Sequence, residues 1–239
     1  MKLDLVVMTV HPDDAELGAG GTIAKYVAEG KKVGIIDLTR GELGTRGTAE
    51  TRAQEASAAA EILGVHVREN LGLRDGFFQN IEESQLEIIK SIRKFKPEIV
   101  ITNAFDDRHP DHGRASKLVN DALFLSGLLK IETKIDGVSQ EAYRPRLQLQ
   151  LIQDQYIKPD VLLDVTKYWD IKEQSILAYK TQFNSTNEED GPQTYISSPD
   201  FMESTRARGR EFGRSIQVPF AEGFTSRKIL GVTDIFELI

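Results

Sequence analysis

The 239-residue sequence contains no cysteine. Disulfides, thiolate metal sites, iron–sulfur clusters and cysteine nucleophiles are therefore all excluded. Any metal site must use histidine, carboxylate or backbone oxygen ligands. Histidine is also scarce, with four in the whole chain, so the position of each one is informative.

An excess of basic residues and a long apolar run are also missing. The 37 acidic and 30 basic residues give a formal net charge of −7. Because phosphate affinity comes mainly from clustered lysine and arginine, this balance argues against a nucleic-acid partner. The apolar run at residues 5–10 is far shorter than the ~18–20 residues that cross a bilayer. The first residues, with Asp4 among them, lack the apolar stretch of a signal peptide, so we expect a cytoplasmic protein with no membrane partner.

Apolar runs alternate with helix-like segments through the first half of the chain. Strands are predicted at residues 3–10, 33–38, 65–71 and 99–101, and helices at residues 22–29, 48–63 and 84–95. The glycine-rich stretch before the first helix is read as a turn. This alternation predicts an α/β fold with a Rossmann-like, mostly parallel sheet and helices on both faces, over about residues 1–130. In such sheets, ligands bind beyond the carboxyl ends of the strands.

The second half, about residues 131–239, is less regular and is read as a C-terminal extension of the same domain. Without a clear linker or repeat, residues 1–239 are predicted to form a single domain. Here we predict an antiparallel or edge strand at 147–152, a strand at 161–165, helices at 168–182 and 199–216, and a mobile surface loop at 184–198. The composition of that loop leaves open whether it closes over a site.

Three of the four histidines lie in two related tetrapeptides. His11-Pro12-Asp13-Asp14 follows the first predicted strand, and His109-Pro110-Asp111-His112 follows the fourth. Both tetrapeptides should therefore lie at the same edge of the sheet. Two imidazoles and one carboxylate, with an open fourth position, are the pattern of a catalytic zinc site.

His11, Asp14 and His112 are the candidate ligands, and Asp13 is a candidate base next to them. The spacing alone does not decide which aspartate binds the metal, and the pair could instead cap a helix. A dinucleotide site around Gly18 to Gly21 is disfavoured because the expected third glycine is replaced by Ile23. The pair Asp106–Asp107 is interpreted as solvated loop charge.

The stretch His11-Pro-Asp-Asp-Ala-Glu-Leu-Gly-Ala-Gly-Gly-Thr22, with the later Arg108-His-Pro-Asp-His112, resembles the LmbE-like, or PIG-L, family of zinc-dependent N-acetylglucosaminide deacetylases. The likeness continues through residues 37–48, Arg52 with its alanine-rich helix, and residues 221–224. Taken together, these segments are most similar to the branch that acts in bacillithiol biosynthesis, on N-acetyl-α-D-glucosaminyl L-malate.

The resemblance implies a role for each residue of the two motifs. His11, Asp14 and His112 would bind one Zn²⁺ per chain, although a site of this type accepts other divalent ions. Asp13 would be the general base. His109 would stabilise the oxyanion and protonate the leaving amine. Relatives commonly form hexamers or other homo-oligomers, so the resemblance also implies a homo-oligomer.

Recognition of the amino-sugar substrate is expected to involve arginines and an aromatic residue. Planar guanidinium groups suit the two carboxylates of malate, and the resemblance favours Arg52 and Arg108 for this role. Tyr195 resembles an aromatic residue that the family uses near the reacting carbonyl. Two alternatives stay open: an amidase for another N-acetylglucosaminide or a thiol conjugate, and a non-catalytic nucleotide- or sugar-binding module.

Overall fold

The computed structural model describes residues 1–183 and 191–238. Its α-helices are α1 (Asp14–Ala28), α2 (Ala49–Leu63), α3 (Glu82–Phe95), α4 (Pro110–Ser126), α5 (Trp169–Leu177) and α6 (Pro199–Ser215). Its strands are β1 (Leu5–Thr9), β2 (Val33–Thr39), β3 (Val67–Leu73), β4 (Ile99–Thr102), β5 (Lys134–Ile135), β6 (Val138–Ser139), β7 (Leu147–Leu151), β8 (Val161–Asp164) and β9 (Ala221–Thr225). None of the described helices is both long and apolar enough to cross a membrane.

Seven of the strands form one sheet in the order β3-β2-β1-β4-β7-β9-β8, and β5 pairs with β6 in a separate hairpin. The neighbours from β3 to β7 run parallel, whereas β9 runs antiparallel to both β7 and β8. All residues of β1 and β2 are buried, because helices cover the sheet on both sides. The predicted fold class is therefore confirmed.

Two apolar layers hold the helices against the central strands. On one face, Val6 and Met8 of β1 pack in a cluster with residues of α3 and α4. On the other face, Leu5 and Val7 pack with residues of α1, including Ile23. This division follows the two-residue period of a strand, since neighbouring side chains point to opposite faces.

The glycine-rich stretch after β1 belongs to a helix, so its interpretation as a turn is wrong. Helix α1 begins at Asp14 and continues through Gly18 and Gly21. A Cβ atom at Gly18 would lie 2.6 Å from Leu151 Cδ1, and one at Gly21 would lie 2.8 Å from Val165 Cβ. These glycines allow α1 to approach the sheet and the segment before α5 closely, which local sequence signals do not reveal.

The C-terminal part contributes strands to the same sheet. β7 lies in the interior, parallel to β4 and antiparallel to β9, so it is not an edge strand. β9 was not predicted from the sequence, and α5 ends at Leu177, earlier than expected. Of the predicted loop at 184–198, residues 184–190 lie outside the described residues.

A buried ion pair fixes α1 against this C-terminal part. Glu222 of β9 accepts hydrogen bonds from the backbone amides of Gly21 and Thr22 at 3.0 and 2.7 Å. Its carboxylate also pairs with Lys172 of α5 at 2.5 Å, and Lys172 donates to the carbonyl of Leu17 at 2.7 Å. Because α1 carries Asp14 in its first turn, these contacts also help to set the position of the candidate site.

Packing of α6 depends on a glycine that meets a tryptophan ring. Trp169 stacks on Phe220 with ring centroids 4.3 Å apart, and its Nε1 donates to Glu173 at 2.7 Å, so the ring cannot easily turn away. A Cβ atom at Gly209 would lie only 2.3 and 2.5 Å from two carbons of the Trp169 ring.

Gly209→Ala is therefore expected to lower the free energy of unfolding by about 1–3 kcal/mol, as overpacking of a buried contact does. Urea denaturation monitored by circular dichroism measures this change. Gly231→Ala is the matched control, since a Cβ there meets no described atom within 4 Å. Equal stabilities for the two variants would contradict the packing argument.

Candidate metal centre and active site

The two histidine tetrapeptides meet at the carboxyl ends of β1 and β4. These neighbouring strands lie where the chain order reverses, because β2 and β3 lie on one side of β1 and β7 lies beyond β4. Ring centroids are 4.8 Å apart for His11 and His109, 5.0 Å for His109 and His112, and 5.7 Å for His11 and His112. The reversal of strand order opens the crevice in which open α/β sheets bind ligands.

Asp14 lies between two of these imidazoles. Its Oδ1 is 3.2 Å from Nε2 of His112, and its Oδ2 is 3.7 Å from Nδ1 of His11. All three side chains are nearly buried, and the carboxylate of Asp14 accepts the backbone N–H of His11 at 3.0 Å. The predicted ligands His11, Asp14 and His112 are thus brought together around one carboxylate.

In each imidazole, the ring nitrogen that does not face Asp14 contacts another carboxylate. Nε2 of His11 lies 3.0 Å from Asp75 Oδ1, and Nδ1 of His112 lies 2.5 Å from Asp107 Oδ2. Histidines that bind metals typically use one nitrogen for the ion and give the other to a carboxylate or carbonyl. The donor set therefore fits a divalent cation between His11 Nδ1, Asp14 and His112 Nε2.

Neighbouring carboxylates favour the protonated form of the two imidazoles. Although burial lowers the pKa of His11, the carboxylates of Asp111, 3.7 Å from Nε2, and of Asp75 raise it to about 10. At His112, burial likewise lowers the pKa, but the carboxylates of Asp14 and Asp107 raise it to about 9. Positive charge is therefore favoured at both rings, and a bound cation would take the place of these protons.

Other side chains are also close enough to take part in metal binding. In residues 1–183 and 191–238, two groups of three offer ligand atoms that all lie within 4.8 Å of one another, His11 with His109 and His112, and His11 with Asp75 and Asp111. The predicted set of His11, Asp14 and His112 is joined by the contacts that Asp14 makes with each of the two imidazoles. The assignment of Asp14 as the carboxylate ligand stays a prediction, supported by its contact with both histidines.

Asp13 lies beside this centre in an unusual backbone conformation. Its φ of 121° lies outside the normal range of a non-glycine residue, as is found for residues held in place at functional sites. Nη2 of Arg52 donates to its Oδ2 at 2.5 Å and to the carbonyl of Pro12 at 2.6 Å. Burial raises the pKa of Asp13 to about 7, with Arg52 opposing the rise and Asp14 adding to it. Such a carboxylate can accept a proton near neutral pH.

His109 lies across the centre and caps the N-terminus of α4. Its Nδ1 accepts the backbone N–H of Asp111 at 3.3 Å, so the neutral ring carries its proton on Nε2. Burial and the charges of His11 and His112 hold the pKa of His109 below its usual value. A neutral imidazole with a proton on Nε2 can donate a hydrogen bond to an oxygen that develops negative charge.

A cavity of about 510 Å³ opens from the centre, and the predicted substrate-binding residues line it. Arg52 lies at its base, where its guanidinium is buried against Asp13. Arg108 and Tyr195 lie at the exposed mouth, with the guanidinium 5.3 Å from the ring centroid. Arg108 is anchored by Asp154, through a contact of 2.6 Å.

Several residues at this site were missed by the sequence interpretation. The carboxylate of Asp107 is buried against His112, so its interpretation as solvated loop charge is wrong; Asp106 is exposed. Asp75, Arg208 and Gln153 also line or support the site. Asp75 follows β3 and Gln153 follows β7, so only the order of strands in the sheet brings them close.

A family model, curated proteins and a solved structure all match this chain. The model of the family described as PIG-L, GlcNAc-PI de-N-acetylase, matches residues 6–123. Diacetylchitobiose deacetylase of Thermococcus kodakarensis is 30% identical over 186 residues, which cover 72% of this chain and 67% of that protein. 4-Oxalmesaconate hydratase of Pseudomonas putida is 27% identical over 187 residues, covering 72% and 70%. Among solved structures, the conserved protein TT1542 of Thermus thermophilus superposes with a TM-score of 0.85 and 36% identity, over 97% of this chain and 98% of that one.

Proposed function

Since the chain belongs to the PIG-L family of N-deacetylases, we propose that it is a zinc-dependent hydrolase of N-acetylglucosaminides. The substrate that we propose is N-acetyl-α-D-glucosaminyl L-malate, from which the enzyme releases acetate. The observation that carries the proposal is geometric: the buried carboxylate of Asp13 lies next to Asp14, whose own carboxylate contacts the imidazoles of His11 and His112. That arrangement provides a base and a metal centre within one cavity.

The residues divide the chemistry between them. His11, Asp14 and His112 would hold the cation, which when bound supplies an acidified water and a Lewis acid for the amide oxygen. Asp13 accepts the proton of the attacking water. His109 donates from Nε2 towards the acyl oxygen as its negative charge develops. The C–N bond then breaks as the nitrogen receives the proton that Asp13 took from the water, so the amine leaves as a neutral molecule and Asp13 is a carboxylate again. Because His109 is neutral and its proton lies on Nε2, it keeps that proton in the hydrogen bond to the acyl oxygen.

The proposal that the substrate carries an acidic group rests on the arginines at the mouth of the cavity. Arg108 binds the carboxylate of Asp154 through Nε, and Arg208 of α6 donates to the carbonyl of the same residue at 2.8 Å. Two guanidinium groups are thus anchored side by side next to Tyr195. Guanidinium groups bind carboxylates in a bidentate manner, so this mouth suits a dicarboxylate such as malate.

Arg52 is buried against Asp13, so its guanidinium group is not placed only to bind a substrate carboxylate. Its Nη2 is engaged by Asp13 and Pro12, while its buried Nε has no partner among the described residues. We therefore propose that Arg52 mainly orients Asp13, and that Arg108 contributes more to binding of the malate group.

The experiment that tests the function measures acetate release from a panel of substrates by the purified, zinc-loaded protein. The panel contains the malate conjugate, a neutral methyl N-acetylglucosaminide and an N-acetylglucosaminide thiol conjugate. Highest kcat/KM for the malate conjugate supports the proposal, and preference for another member favours the alternative substrates. No acetate release from any member contradicts deacetylation, and a hydratase or a non-catalytic binding module is then favoured.

Arg108→Ala is expected to raise KM for the malate conjugate by about 10-fold or more, since a charged hydrogen bond contributes ~1.5–3 kcal/mol. KM for the neutral glycoside should change little, and kcat for both should be retained, because Arg108 lies at the mouth of the cavity. Steady-state kinetics on the two substrates measure the difference. Equal changes in KM would argue against an acidic group at this mouth.

A further inference from the structure

Gln153 lies two residues after β7, at the same edge of the sheet as the two histidine turns. Its Oε1 accepts hydrogen bonds from the backbone amide of Ala104 and from Nδ2 of Asn103, both at 3.0 Å. Because a backbone N–H can only donate, this contact determines which end of the Gln153 amide is oxygen. The amino group of Gln153 therefore faces the crevice.

That amino group contacts the candidate ligands. Nε2 of Gln153 donates to Oδ1 of Asp14 at 2.9 Å and lies 3.5 Å from Nε2 of His112. The other oxygen of Asp14, Oδ2, accepts from the backbone N–H of His11 and from Nδ2 of Asn103, each at 3.0 Å. Donors from three separate segments thus hold both carboxylate oxygens, and Gln153 acts on the one that faces His112.

From this geometry we propose that Gln153 is a positioning residue for a divalent cation held by Asp14 and His112. The inference rests on the proposed function, because it requires a cation at these two side chains. A hydrogen bond on Oδ1 restrains rotation of the Asp14 carboxylate and so maintains the direction of its lone pairs. Gln153 reaches Asp14 from the end of a strand that carries neither of the two histidine motifs.

Gln153→Met tests this role, because methionine has a similar length and no hydrogen-bond donor. Gln155→Met is the matched control: it makes the same change on the exposed surface, where the Gln155 side chain meets Asp106 at 3.4 Å. The dissociation constant for Zn²⁺ is measured on the full chain by competition with a chromogenic chelator. Visible absorption of the Co²⁺-loaded proteins reports on the arrangement of the ligands.

Gln153→Met is expected to bind Zn²⁺ about 10–100-fold more weakly and to give an altered Co²⁺ spectrum, as loss of an outer partner of a metal ligand does. Gln155→Met should match the unsubstituted protein in both measurements. Unchanged zinc affinity in Gln153→Met, or an equal loss in Gln155→Met, overturns the proposal.

The melting temperature of the metal-free proteins shows whether Gln153→Met folds. If it does not fold, Gln153→Asn replaces it, since the shorter amide cannot span from Ala104 to Asp14 and should also weaken zinc binding. If the unsubstituted protein binds no zinc, both the proposed function and this role are wrong. If the unsubstituted protein binds zinc and the Gln153 variants bind it equally well, the role alone is wrong, so the two failures are distinguishable.

Discussion

His112→Ala is expected to abolish stoichiometric zinc binding and to lower kcat/KM by about three orders of magnitude or more, because a catalytic cation stabilises the transition state by several kcal/mol. His112 is held by carboxylates on both of its ring nitrogens, Asp14 on Nε2 and Asp107 on Nδ1. Alanine removes one of the two imidazoles from the proposed ligand set. Elemental analysis of the purified variant and acetate release from the substrate measure the two effects.

His66→Ala is the matched control for this change. His66 accepts the backbone N–H of Val33 through Nδ1 at 3.3 Å, at the opposite end of β2 from the two histidine motifs. Its removal should leave zinc content and turnover unchanged, at a small cost in stability. A His112→Ala protein that retains one zinc per chain would show that the cation is held elsewhere, for example by the group of His11, Asp75 and Asp111.

Asp13→Asn is expected to lower kcat by about 10²–10⁴-fold, the usual contribution of a general base. Asparagine keeps the size of the side chain and can still accept a hydrogen bond from Arg52, but it cannot take up a proton. Zinc content should stay at one ion per chain, because Asp13 is proposed as a base and not as a ligand. Single-turnover measurements of acetate release, together with metal analysis, separate these two roles.

Asp106→Asn provides the comparison, since this carboxylate is exposed on the same edge of the sheet and is not part of the proposed machinery. Its turnover should equal that of the unsubstituted enzyme. If Asp13→Asn lost its zinc as well, Asp13 would be a ligand and the division of roles between Asp13 and Asp14 would have to be reversed. Unchanged turnover in Asp13→Asn would exclude it as the base.

Local signals were sufficient for the central elements of the fold. The apolar runs predicted β1, β2 and β4 nearly to their ends, because strands of a covered parallel sheet are apolar throughout. Helix α2 was also predicted, and Thr48 and Gly64 bound it as an N-terminal cap and a left-handed C-terminal residue. Strand β9 was missed because Ala-Glu-Gly-Phe-Thr has no alternating pattern. It is buried because it lies between β7 and β8 and packs against α6 and α1.

The sequence by itself determined the fold class and the convergence of His11, Asp13, Asp14, His109 and His112. Each motif directly follows a strand, and parallel strands end at the same edge of a sheet. Only the tertiary structure decided which nitrogen of each imidazole faces Asp14, and that Arg52 contacts Asp13. The same holds for the supporting side chains Asp75, Asp107 and Gln153. These contacts join segments that are far apart in the chain or depend on side-chain direction, so neither spacing nor residue type specifies them.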